Sequence, residues 1–195
     1  IKLGEYPTSV DRNDYDQIID KRIIGTFAPI APPLSLDQKI VCVGSCFADE
    51  LARHLTAQNR DVIYLSLWEI FNTAYAVRHF LEYALENRPF PEGFVSKAFV
   101  AVDAAQLRVR QGDAFLITLG LSLCWFDLRT NRMTMSPNFG KHTVKSLLNF
   151  TMRQTSVSDN VAKIDGIISC IRRVKGNVPI IFTLSPIPIK DAVNE

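Results

Sequence analysis

The chain has 195 residues, 47% of them hydrophobic and 22% charged, with a net charge of +2. That is enough for one globular α/β domain with a sizeable core, and too little positive charge to imply a nucleic-acid surface. No apolar run approaches the ~20 residues of a membrane-spanning helix, so neither nucleic acid nor membrane is an expected partner. Cys42, Cys46, Cys124 and Cys170 show no CxxC pairing and no further ligands at zinc spacing. They predict free thiols in a reducing compartment, and hence a cytoplasmic protein.

Residues 1–39 are rich in proline and show little periodicity. They are expected to form an N-terminal arm packing on the domain that follows. Ile40-Val41-Cys42-Val43 has the composition and length of a buried strand. Gly44 breaks it, and Ser45 and Cys46 follow at once. Phe47, Leu51 and Leu55 then recur at helical spacing, with Asp49 and Glu50 in the first turn. The stretch predicts strand, tight turn and helix, with two nucleophiles on the turn. Free backbone N–H groups and the helix amino terminus favour negative charge there, a thiolate or an oxyanion.

Residues 61–65 predict a second strand. Residues 68–86 predict an amphipathic helix, with a broad apolar stripe from Ile70 to Ala84. A Pro- and Gly-bearing loop follows, and 100–110 can form a short helix. Residues 114–119 predict a third strand, ended by Gly120. Cys124 to Asp127 and Arg132 to Met135 flank a turn and predict a small β-hairpin. Ser136 to Thr143 is expected to be a loop. Ser156 and Asp159 have capping-box spacing before a helical period from Val157 to Val174, which Gly176 should stop. Residues 178–184 predict the fourth strand, closed by Ser185-Pro186. Strands alternating with helices imply a mostly parallel sheet covered on both faces, a three-layer αβα sandwich. All four strands should be parallel neighbours. Gly44-Ser45-Cys46, Gly120-Leu121-Ser122 and Ser185-Pro186 should meet on one edge.

Gly44-Ser45-Cys46-Phe47-Ala48 spells the motif of the GSCFA family, and three later blocks resemble that family in order. They are Thr118-Leu119-Gly120-Leu121-Ser122 with Trp125 and Asp127, Thr155-Ser156-Val157, and Thr183-Leu184-Ser185-Pro186-Ile187-Pro188. The resemblance spans Ile40 to Ile189. The GSCFA family is in turn similar to the SGNH, or GDSL-type, hydrolases. That implies a flavodoxin-like fold and an ester-cleaving or acyl-transferring ancestry.

The SGNH nucleophile is the serine of Gly-Asp-Ser. Aligning the glycines places Cys46 over that serine and Ser45 over the aspartate. Gly120-Leu121-Ser122 stands where SGNH enzymes carry Gly-x-Asn, with serine replacing the oxyanion-hole asparagine; a hydroxyl still donates one hydrogen bond. Asn72 is a further candidate for an oxyanion contact. The usual Asp-x-x-His is absent. In the family a similar motif lies beyond Glu195, so the domain over 40–195 is expected to be truncated at its C-terminus and this chain to be short of a full triad.

The resemblance implies a base histidine beyond Glu195; within this chain His142, on a loop near the expected site, is the second choice, with a solvated loop residue as the alternative reading. His54 is excluded as a partner of Cys46, because eight residues of helix separate the two by about 12 Å. His79 falls within a long amphipathic helix and reads as structural, and Trp125, which could line a pocket mouth, reads by its size as core packing. Cys46 is expected to be the most reactive of the four cysteines, with Cys124, just after the third strand, as its competitor.

The resemblance therefore implies an ester hydrolase or acyltransferase acting on O-acyl groups of a small molecule or carbohydrate. Cys46 or Ser45 would be the nucleophile. Gly44, Gly120, Ser122 and Asn72 would surround the oxyanion, with no metal or redox cofactor and with acyl-CoA as co-substrate if the reaction is transfer. The missing Asp-x-x-His also leaves open a non-catalytic module that binds a glycan or a protein on the same fold.

Overall fold

A computed structural model describes residues 34–44, 46–64, 73–89, 108–134 and 148–184. The chain divides into Ile1–Ser35 and Leu36–Glu195, and the elements below belong to the second. The expected packing of an N-terminal arm falls on residues outside those described.

In chain order the elements are β1 (Ile40–Gly44), α1 (Cys46–Ala57), β2 (Val62–Tyr64), α2 (Ala74–Glu86), β3 (Ala114–Leu119), β4 (Leu123–Asp127), β5 (Arg132–Thr134), β6 (Phe150–Gln154), α3 (Val157–Lys175) and β7 (Ile180–Leu184). The four expected strands form one sheet in the order β2-β1-β3-β7. Every pairing in it is parallel, with Ile40 opposite Val62, Gly44 opposite Thr118 and Leu119 opposite Leu184. The all-parallel reading of 40–43, 61–65, 114–119 and 179–184 therefore holds.

Alternation along the strands sorts the two faces. Val41, Val43, Phe115, Ile117 and Leu119 share a core with α2 and α3. Ile40, Cys42, Ala114 and Leu116 are equally buried but lie outside that cluster. Their side chains point to the other face, where α1 packs on β1, β2 and β3. Helix α1 meets the sheet through Ala48 and Ala52, one turn apart, and small side chains let the helix approach closely. Phe80 and Phe115 are fully buried between sheet and helices. Each contributes roughly 2–3 kcal/mol of transfer free energy.

Helices α2 and α3 pack on each other. Their contact includes a buried carboxylate. Glu82 accepts from Arg78 Nε at 2.8 Å and faces His79 and Arg88. Arg78 passes over Gly166 of α3, where a Cβ would collide with its guanidinium. One turn further along α2, Glu86 receives Arg173 of α3. These pairs set the relative register of the two helices.

Two expectations need correction, and a third is borne out and extended. A helix from 68 onward is not continuous: Thr73 is extended and N-caps α2, its hydroxyl accepting from the Ala76 N–H at 3.2 Å. The side-chain cap competes with continuation of the helix. The hairpin 124–127/132–135 is present as β4 and β5, but β6 joins β4 on its other side and makes an antiparallel sheet of order β5-β4-β6. Its sequence, Phe150-Thr-Met-Arg-Gln154, carries only a weak alternation. Trp125, expected in the core, pairs with Thr134 and Met152 on the outer face of this sheet, while its neighbours Cys124 and Phe126 turn inward. The expected helix over 100–110 and the loop 136–143 fall largely or wholly outside the described residues. Helix α3 forms as expected, with both halves of its capping box made by Ser156 and Asp159 and with Gly176 at its end.

Candidate functional site

Strand β1 leads to β2 on one side, and β3 lies on the other. The sheet order therefore reverses between β1 and β3, and open α/β sheets bind ligands outside the carboxyl ends of strands at such a point. Because Gly44 is opposite Thr118, the turn after β1 and the turn after β3 leave the sheet side by side, about 5 Å apart. Two of the three expected turns thus share one edge. The third, Ser185-Pro186, lies outside the described residues, although β7 ends beside Leu119 on the same edge.

Gly44 has φ +131° and is fully buried. A Cβ at this position would overlap the carbonyl oxygen of Thr118. Glycine alone permits both this backbone angle and this approach. Cys46 begins α1 and is exposed. The other three cysteines are free but buried. Burial pushes the Cys42 thiol up to about 11 and the Cys170 thiol up to about 12. It raises Cys124 as well, against a hydrogen bond with the Thr73 side chain. Ser45, Asn72 and His142 lie outside the described residues.

Gly120 and Ser122 line a cavity at this edge, between the end of β3 and the first turns of α3. The loop that carries them is fixed from two sides. Thr155 donates both its backbone N–H (2.7 Å) and its hydroxyl (2.6 Å) to the Ser122 carbonyl. Asn160 donates to the Thr155 hydroxyl oxygen at 2.8 Å and to the Ser156 carbonyl at 2.9 Å. Across the loop, Thr73 forms a parallel bridge with Leu121. Among the described residues, the Ser122 hydroxyl takes no part in these bonds. Sequence reasoning missed the positioning roles of Thr73, Thr155 and Asn160. Thr155, just before α3, and Asn160, in its first turns, gave no local signal, because the carbonyl that Thr155 holds lies thirty-three residues away along the chain.

The two described histidines are engaged elsewhere. His54 is exposed on α1, its Nε2 3.0 Å from Gln58 Nε2. His79 sits edge-on to Tyr75 at 4.5 Å, with Nδ1 3.5 Å from a Glu82 oxygen. Burial lowers the His79 pKa, and Arg78 and Lys163 push the same way against the Glu82 charge. The folded state therefore favours the neutral ring. Its contribution to stability is complete above the unfolded value near 6.5 and is lost as the pH falls through the lower folded value. Urea unfolding between about pH 7 and about pH 5 should show a decline that His79→Gln flattens. An equal decline in the variant would assign it to other groups.

Among the described residues, no cluster of three or more His, Cys, Asp or Glu side chains could hold a metal ion, and no helix is long and apolar enough to cross a membrane. What fold and edge define is an α/β protein with a doubly covered parallel sheet and a candidate site at its switch point. The family model of the GSCFA family matches residues 92–195, more than half of the chain, and the protein belongs to that family. The matched segment contains Gly120, Ser122, Thr155 and Asn160; the Gly44-to-Ala48 motif precedes it. No curated protein and no solved structure gives a significant match.

Proposed function

We propose that the protein is an SGNH-like ester hydrolase or acyltransferase acting on O-acyl groups, a carbohydrate ester among the candidate substrates, with its nucleophile on the Gly44-Ser45-Cys46 turn. The observation that carries this reading is the register of β1 and β3. It brings the end of β1, which exposed Cys46 follows, alongside the end of β3, which Gly120 follows, and open α/β sheets favour such an edge for ligands.

In this reading the Cys46 Sγ attacks the acyl carbon. The tetrahedral oxyanion is held by backbone N–H groups of the turn and by the Ser122 hydroxyl. The acyl carbon–oxygen bond then breaks, and the alcohol leaves with the proton the thiol gave up. Water, or an acceptor hydroxyl, attacks the resulting thioester and restores the thiol. If the donor is an acyl-CoA, Cys46 forms the same thioester by breaking the acyl carbon–sulfur bond, CoA leaves as its thiol with the Cys46 proton, and an acceptor hydroxyl then takes the acyl group and returns its proton to Sγ. His142 is the base the sequence offers, and Asn72 a further oxyanion donor.

Acylation can be tested without turnover. Incubation with p-nitrophenyl acetate should leave one acetyl group on the peptide containing Cys46, and Cys46→Ala should abolish it. An adduct that survives Cys46→Ala but not Ser45→Ala would transfer the nucleophile to Ser45.

The engagement of His54 and His79 elsewhere favours a second reading, a non-catalytic module that binds a glycan or a protein at the same edge. Absence of any adduct from folded protein would select it.

A further inference from the structure

The cavity at the carboxyl ends of β3 and β7, against α2 and α3, has a volume of about 410 Å³, in the lower part of the range for small-molecule sites. Its character is uneven. Ala74, Leu119 and Ile164 form the inner wall, and Val157, Val161 and Leu184 the outer one. The outer three are unusually exposed for apolar residues, at 82%, 50% and 76%. Polar groups occur only near the Gly120–Ser122 loop, where Asn160 also lies. The Asn160 amide N–H groups are already committed to Thr155 and Ser156. Among the described residues, no lysine or arginine lines the cavity.

From this distribution we infer that the cavity is the acyl-chain site: it takes a straight acyl group longer than acetyl, with the carbonyl at the Gly120–Ser122 rim and the methyl end against Ala74 and Ile164. The inference rests on the acyl-transfer reading above and names the half of the substrate that this pocket binds. A sugar ring does not fit the wall, because its hydroxyls would be buried without partners. A phosphate does not fit it either, because no cation among the described residues is there to receive it. An alkyl chain asks only for apolar contact, and it would cover surface on Val157, Val161 and Leu184 that now faces water. The alcohol portion of the ester then lies on the other side of the carbonyl, outside this cavity.

The test separates binding from reaction. The unreactive, neutral probes are N-methylacetamide, N-methylbutanamide and N-methylhexanamide, titrated into the full chain and followed through its methyl NMR signals. Affinity should rise roughly fourfold for each buried methylene, with shifts centred on Leu119, Val161 and Ile164. Val161→Trp, at a half-exposed position, should fill the cavity and weaken N-methylhexanamide by tenfold or more, with little effect on the acetamide. Val174→Trp, on the same helix but outside the cavity, should change neither.

Acetylation at Cys46 together with a flat amide series, or with shifts mapping elsewhere, would overturn the acyl-chain site and leave the nucleophile standing. Chain-length-dependent binding that Val161→Trp removes, in protein that never forms an adduct, would support the site and remove the covalent step.

Discussion

Gly44→Ala is expected to cost roughly 3–5 kcal/mol of folding stability, near the upper end for a single substitution, and to lower the Tm by about 10 °C. Two effects add. A φ of +131° is a backbone state that L side chains rarely adopt, with a cost of about 1–3 kcal/mol. The new methyl would also overlap the Thr118 carbonyl oxygen, which is backbone of the adjacent central strand and cannot swing aside as a side chain could. Relief requires β1 and β3 to separate at their ends, in the most buried part of the sheet. Gly176→Ala is the control. Gly176 also has a positive φ, +69°, but a Cβ there would meet nothing within 4 Å. With ψ −142° it lies outside the left-handed helical region, so its cost should be the backbone part alone, about 1–3 kcal/mol. Urea or thermal unfolding of the two variants measures the contrast. Equal costs would mean that Gly44 is chosen for its backbone angle alone, and that the close approach to Thr118 has no energetic consequence.

The same glycine shows how far the sequence could be read. Apolar runs without polar interruption predicted buried parallel strands, and all four appeared because a sheet covered on both faces asks only for such runs. Caps were legible for the same local reason: Ser156 with Asp159, and Gly176, act within a few residues of themselves. That Gly44 would break the strand was also readable. Its contact with Thr118 was not, since it depends on the pairing of β1 with β3 across seventy-odd residues of chain.

Strand β6 was hidden because three of its five residues face solvent, which weakens the apolar alternation. Trp125 was assigned inward on size, yet the register of β4 against β6 turned it outward. At the candidate site, the place of Gly120 and Ser122 after a strand was legible, while their oxyanion role came only from the family resemblance. The Thr155–Asn160 support beneath them had no local signature, because it joins elements distant in sequence.

The second large effect concerns the thiols. In folded protein near pH 8, iodoacetamide should alkylate Cys46 at least about a hundredfold faster than Cys42, Cys124 or Cys170. Cys46 is exposed, and the other three are buried. Access alone would give a large difference, and ionisation widens it, since the thiolate is the nucleophile. With its thiol pushed up to about 11 by desolvation, Cys42 is ionised to only about one part in a thousand near pH 8. Cys170, held at about 12 by burial and by the charges of Glu86 and Glu82, is ionised less still. Both should label only through opening of the structure, Cys42 with the central sheet and Cys170 with the α2–α3 interface. Cys124 is the informative comparison. It too is buried and raised, but it hydrogen-bonds Thr73 at the start of α2, beside the loop that carries Gly120 and Ser122. Its labelling should therefore report opening of that loop. Time-resolved mass spectrometry of the four peptides, with and without denaturant, gives all four rates. Denaturant should raise Cys42, Cys124 and Cys170 towards the rate of Cys46. If Cys46 labels no faster than Cys124 in the folded state, its thiol is not available to a substrate at the sheet edge. Ser45 would then be the nucleophile left on the turn, and the binding-module reading would move ahead.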